Sequence, residues 1–183
     1  MSVSTAARPV RQDSWARRQA LYHLASPVSV LTVRTGQDLL HGTTASTVTL
    51  VSREPLLLGV CLRAGSQFAR LAVQEGRFAV NVLSAGQADL ATHFATSSRH
   101  GEGQFTGTGW SAAPYAGAPL LEGALAHYDC RVHATHPLGD GLVLVGQVVH
   151  ATASPQAPLL SYTGALFAGA LHPVPAPKET TTP

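Results

Sequence analysis

Between residues 126 and 134 apolar and polar side chains take strict turns. Ala126, Tyr128, Cys130, Val132 and Ala134 alternate with His127, Asp129, Arg131 and His133. A period of two puts one kind of side chain on each face of a strand and fits no helix. Gly139, Asp140 and Gly141 then supply a turn, and residues 142–149 (LVLVGQVV) form a second strand-like run. The two runs are therefore expected to pair as an antiparallel hairpin, apolar face inward and polar face wet.

The rest of the chain adds strands rather than helices. Residues 28–33 (VSVLTV) are β-branched, residues 44–50 (TASTVTL) read as one strand, and 53–55 (REP) break it. Residues 56–62 (LLLGVCL) are apolar throughout, which predicts a strand buried on both faces. Residues 78–83 give a further strand. Two or three short helices are expected. One is capped by Asp13 or Ser14 and ends at Pro27, one follows Gly65, and one starts from a capping box at Ser84 and Gln87 and runs to about Phe94. Residues 96–109 read as glycine-rich loop. Six or more strands that adjoin directly predict a mainly β fold, an antiparallel barrel with helices at its ends, and not a doubly wound sheet.

A chain of 183 residues with 45% hydrophobic content suits one core. The ordered domain is expected at 13–171, between a polar tail at 1–12 and a Pro/Thr-rich tail at 172–183. Net charge is only +2, so there is no electrostatic case for nucleic acid or an anionic membrane as partner. Residues 1–18 lack the apolar stretch of a signal peptide, and no run is long enough to cross a bilayer. Cys61 and Cys130 lie in apolar runs and read as two buried, reduced thiols, which points to a cytoplasmic protein, with a disulfide between them as the alternative.

Chemistry has three candidate seats. Thr44, Ala45, Ser46 and Thr47 combine small size with adaptable hydroxyls, which suits close approach of a planar polar heterocycle. The same residues also suit an ordinary edge strand. Gly65 and Ser66 stand at a loop-to-helix junction between Arg63 and Arg70, a place for a phosphate or simply a helix cap. His127, Asp129, His133 and His136 are close in sequence, but no Cys or Glu completes a familiar metal set, so no metal is expected. No nucleophile motif, Rossmann glycine pattern or P-loop occurs.

The order of these segments resembles the short-chain flavin reductase family, the reductase partners of two-component flavin-dependent monooxygenases. The resemblance runs from about Trp15 to Phe167. It rests on residues 41–48 (HGTTASTV), Glu54-Pro55 with the strand ending Cys61-Leu62, residues 78–84 (FAVNVLS) and residues 117–130 (GAPLLEGALAHYDC). It implies a homodimeric, Greek-key-like FMN-binding split barrel. Such an enzyme takes FMN or FAD as flavin and NADH or NADPH as hydride donor, and supplies reduced flavin to an oxygenase. By this resemblance Thr44, Ala45, Ser46, Thr47 and Val48 hold the isoalloxazine edge. Gly65, Ser66 and Gln67 hold the ribityl phosphate, with Arg63 or Arg70 nearby. Asn81, Phe94, Ser97 and Ser98 line the rest of the pocket, and no side chain acts as catalytic acid, base or nucleophile.

Three positions depart from the family pattern. Gly141 stands where the family carries a His that contacts the nicotinamide cofactor. Gly164-Ala165-Leu166 replaces a pattern with a basic residue and Tyr, and Pro27 replaces a glycine. Asp140 and Gly141 thus mark a weakened nicotinamide site, by about 1–3 kcal/mol if both contacts are lost. The alternative reading is a flavin-binding relative that uses its flavin on another small substrate or only carries it. A non-catalytic barrel that binds haem through the histidines is a third.

Overall fold

The computed structural model describes residues 20, 23–96, 101–169 and 171–172. The helix cap at Asp13 or Ser14, Ser97, Ser98 and nearly all of both expected tails lie outside the described residues. Among the described residues there are twelve strands. In chain order they are β1 (Ser26–Pro27), β2 (Ser29–Arg34), β3 (Leu40–Ala45), β4 (Thr49–Arg53), β5 (Leu56–Arg63) and β6 (Arg77–Val82). Then come β7 (Trp110–Ala112), β8 (Pro119–Leu121), β9 (Ala126–Leu138), β10 (Gly141–Ala153), β11 (Leu159–Tyr162) and β12 (Ala165–Ala168). Helix α1 spans Gln67–Glu75 and α2 spans Ala88–Ala95, with 3₁₀ turns at Ala85–Gln87 and Gly101–Gln104.

The expected hairpin forms from β9 and β10, which pair antiparallel from Gly141↔Leu138 to Ala153↔Ala126. It is the centre of a seven-stranded sheet in the order β3-β2-β6-β9-β10-β5-β4, antiparallel at every step. The two edges of that sheet, β3 and β4, are consecutive in the chain and separated only by residues 46–48. Four peptide units from Ala45 to Thr49 reach at most about 14 Å. Seven strands laid flat would hold their edges about 28 Å apart. The short connection therefore forces the sheet to curl until its edges face each other, which makes a barrel with one open seam.

Leu31, Val33, Phe78, Val80, Cys130 and Leu144 fill the barrel. Helix α1 plugs one end, its Phe68 edge-on to Phe78 at 6.0 Å between ring centres. Each large side chain buried this way contributes about 1.5–3 kcal/mol. Local chemistry sets the helix ends. The Ala69 N–H donates to Ser66 Oγ at the start of α1, and Gly76, at φ +67°, closes it. Ser84 N–H donates to Gln87 Oε1 as the capping box requires, just ahead of α2. Helix α2 then covers the outer face of β2 and β3 through Ala91 and Phe94, packed with Val30, Leu121 and Phe105, which follows the Gly101–Gln104 turn. None of the helices among the described residues is long and apolar enough to cross a membrane.

Four local expectations are corrected. The strand read at 44–50 is two strands, because its halves belong to opposite edges of the sheet. Strand β5 is buried only at Leu58, Gly59 and Val60, since its ends border the seam and the outer surface. Cys61 is accordingly an exposed thiol, while Cys130 is buried; both are free. Asp129, placed on a wet face by the alternation, is only 2% exposed. Its carboxylate accepts the N–H groups of Tyr115 (2.7 Å) and Ala116 (3.0 Å) and so fixes the 113–117 turn. Burial, with the Asp129 charge adding to it, pushes the Cys130 thiol from 9.0 up to about 12.

Candidate active site

The seam of the barrel opens into a cleft of about 760 Å³, a size that takes a small organic ligand or cofactor. One wall is β3 with the C-terminal end of α2. The other is the end of β5 with the start of α1, and residues 46–47 form the floor between them.

Strand β3 is an edge strand, so one row of its backbone groups has no strand partner. Gly42 identifies that row. Its N–H donates to Gln104 Oε1 at 2.8 Å, and its C=O accepts from Gln104 Nε2 at 2.8 Å. The two-residue alternation of an antiparallel ladder then puts the N–H and C=O of Thr44 on the same free edge, facing the cleft. Gly42 is glycine for a steric reason: a β-carbon there would lie 2.8 Å from two ring carbons of Phe94. The Thr44 hydroxyl donates to the C=O of Ala91 at 2.7 Å, which ties β3 to α2 and leaves the oxygen free to accept. Thr47 Oγ1 donates to the Cys61 C=O (2.8 Å) and accepts the Cys61 N–H (3.2 Å), strapping the floor to β5.

The opposite wall has a different character. Gly65, at φ +82°, turns the chain from β5 into α1. Ser66 caps Ala69, and the Arg70 N–H reaches Ser66 C=O. The N–H groups of Gln67 and Phe68 precede any intrahelical acceptor and form the positive end of the helix. Arg63 lines the cleft beside them, and no carboxylate is among its lining side chains within the described residues. This corner suits an anion, and the β3 edge suits a flat ligand with adjacent donor and acceptor atoms.

Thr44, Ala45, Ser46, Thr47, Ser66, Gln67 and Phe94 thus meet in one cleft, with Arg63 and without Arg70. Val48 packs on the barrel core instead, and Gly65 shapes the turn without lining the cleft. Asn81 is a correction. It is wholly buried, and its amide donates to Val30 C=O (3.0 Å), Thr32 Oγ1 (3.3 Å) and Pro119 C=O (3.2 Å) and accepts Leu121 N–H (2.8 Å). It fastens β6 to β2 and β8 and does not reach the cleft. Asp140 lies in the hairpin turn one strand away, and Gly141 is the first residue of β10. Gly141 pairs with Arg63, and Asp140 C=O accepts the Ala64 N–H at 3.1 Å. Sequence reasoning missed His41, Gly42, Thr43, Cys61, Leu62, Phe68, Ala95, Thr96 and Gln104 as lining residues. Flanking positions of the segments already chosen would have found most of them; nothing local marks Gln104.

Residues 21–170 match the flavin reductase like domain family. The NADPH-flavin oxidoreductase of Streptomyces viridifaciens is 42% identical over 146 residues, 78% of this chain and 74% of that protein. Among solved structures, the NADH:FAD oxidoreductase SgcE6 of Streptomyces globisporus C-1027, in complex with NAD and FAD fragments, superposes with a TM-score of 0.79. It is 32% identical, and the match covers 86% of this chain and 93% of that one. BorF, the flavin reductase component of a bacterial two-component tryptophan halogenase, gives a TM-score of 0.78 at 32% identity, covering 85% and 97%. With the family matched along most of its length and the seam cleft in place on a split barrel, this chain belongs to the flavin reductase like domain family.

Proposed function

We propose that the chain is an NAD(P)H:flavin oxidoreductase whose flavin binds in the seam cleft. The observation that carries this reading is the convergence of the Thr44 backbone edge with the Gln67–Phe68 helix start and Arg63 on a single cleft. The residues present fit FMN or FAD. The Thr44–Thr47 stretch takes the polar edge of the ring, with the buried Phe94 backing that wall, and Ser66 and Gln67 with Arg63 take the phosphate, presented by the turn at Gly65. Ser97 and Ser98, which the resemblance also assigns to the flavin, lie outside the described residues. The nicotinamide nucleotide enters past the turn at Asp140 and Gly141, whose strand neighbour is Arg63. Bound there, the flavin supplies the redox chemistry by accepting a hydride from NADH or NADPH. The chain's own work is to hold the ring flat, fix the phosphate and bring the two ligands face to face.

The reduced flavin is supplied to a partner flavin-dependent oxygenase. The enzyme is a homodimer. Leu50, Val51, Leu56 and Val149 are large, apolar and 37–53% exposed around the β4–β5–β10 corner, and a second copy would cover them. Two free thiols suit the reducing cytoplasm. The test mixes purified protein with FMN or FAD and with NADH or NADPH and follows the nicotinamide absorbance band. Turnover with at least one of the four pairings is expected; none with any pairing ends the proposal.

A further inference from the structure

We propose that Gln104 is a positioning residue that sets where along the β3 edge the flavin ring pairs; the inference rests on the flavin reading above. A carboxamide carries one donor and one acceptor side by side, the same pattern as the edge of a peptide unit. Gln104 uses both on Gly42, at 2.8 Å each, and is only 2% exposed. The imide edge of an isoalloxazine ring, an N–H flanked by C=O groups, seeks the same partner. Gly42 and Thr44 offer that partner at successive outward positions of one free edge, about 7 Å apart. With Gln104 occupying the first, the second is left for the ligand.

The clamp also fixes the wall behind the ring. His93 Nε2 lies 2.7 Å from the Gln104 C=O, so the residue is tied to α2 as well as to β3. Phe94 and Phe105 press on Gly42 from the same side. The contacts run without a gap from the β3 edge through Gln104 to the helix that carries Phe94 and Ala95 to the cleft wall. Without the carboxamide, the Gly42 edge becomes a second docking step for the ring and α2 loses a tether.

The test uses the full chain and its Gln104→Met and Gln104→Glu variants. Met keeps the length of the side chain and removes both hydrogen bonds. Gln104→Met is expected to raise the KM for FMN or FAD about tenfold, with kcat at saturating flavin within about twofold. A residue that only supported the fold would lower the melting temperature and leave the KM of the folded protein alone. A flavin KM within twofold of wild type in a Gln104→Met protein that melts like wild type overturns the proposal. If Gln104→Met does not fold, Gln104→Glu decides. Its carboxylate sets a second acceptor against the Gly42 C=O, whereas its protonated form restores the missing donor. The ratio of its flavin KM to that of wild type therefore falls toward one as pH is lowered. His41 and His93, the neighbouring imidazoles, are present in both proteins, and the wild-type pH profile measured alongside is the reference for them. A ratio that does not change with pH overturns the proposal. Wild-type protein that binds neither FMN nor FAD removes the flavin reading and this inference together. Wild-type binding with unchanged variants removes this inference alone.

Discussion

The β3–α2 wall of the cleft ties its polar groups to itself, whereas the β5–α1 wall leaves its own open. On the first wall the Thr44 hydroxyl, the Gln104 carboxamide and the His93 imidazole each bond to backbone. The second wall presents Arg63, two helix N–H groups and a turn made by a single glycine, Gly65. A flat ring read by a backbone edge needs a surface that does not move, because a shift of one ångström misses both hydrogen bonds. A phosphate on a flexible chain tolerates a looser grip from charge and a helix dipole. The contrast predicts that damage to the first wall shows up in stability, and damage to the second only in ligand affinity.

Five substitutions or treatments sharpen that contrast. Asn81→Leu strips a four-bond buried amide from behind the first wall and is expected to cost about 4 kcal/mol of stability by denaturant titration. The flavin Kd of the protein that remains folded should not change; a lost Kd at unchanged stability would return Asn81 to the pocket. Gly42→Ala drives a β-carbon to 2.8 Å from the Phe94 ring and should cost about 2 kcal/mol, with weaker flavin binding in the same protein. Arg63→Ala should leave the melting temperature alone and raise the flavin Kd about tenfold, with a flatter salt dependence. Lower stability without that affinity loss would break the division between the walls.

Saturating flavin should slow alkylation of the cleft thiol Cys61 about fivefold near pH 7, a mass-action protection read by mass spectrometry. Cys130 should stay unlabelled while the protein is folded, because burial holds its thiol near 12. That raised value carries a sign: the stability linked to Cys130 is intact below pH 9 and is lost as pH climbs toward 12. The smallest effect is expected from Gly141→His. A β-carbon there would sit 3.1 Å from the Leu62 C=O, a contact the turn can absorb with a small shift. Restoring the imidazole should lower the KM for NADH or NADPH about threefold. A wild type that oxidises neither nucleotide until this substitution is made would favour the reading in which the chain carries flavin without reducing it.

The hairpin, β2, β6 and both caps were legible because their signals are local: a period of two, β-branched runs, and a Ser three residues before a Gln. The split of residues 44–50 was not, since Ser46 to Val48 have the same composition as the strands on either side. Only the closure of the sheet decides which edge each half joins. Asp129 looked wet because its partners, Tyr115 and Ala116, come from a turn brought over by the fold. Cys61 looked buried because an apolar run does not reveal that a seam opens beside it. Two segments that line the cleft carried local marks, small hydroxylated residues and a capped helix start, though an ordinary edge strand and helix cap would carry the same marks. Gln104 carried none, because its partner Gly42 is 62 residues away and neither residue is unusual alone.

Backbone amide exchange, followed with and without FMN, tests the cleft most directly. Both the Thr44–Ser46 stretch and the Gly65–Ala69 stretch should slow together on saturation, while the β9–β10 core strands stay as they were. Flavin that binds and reduces but leaves both stretches exchanging at their free rates would place the site elsewhere on the protein.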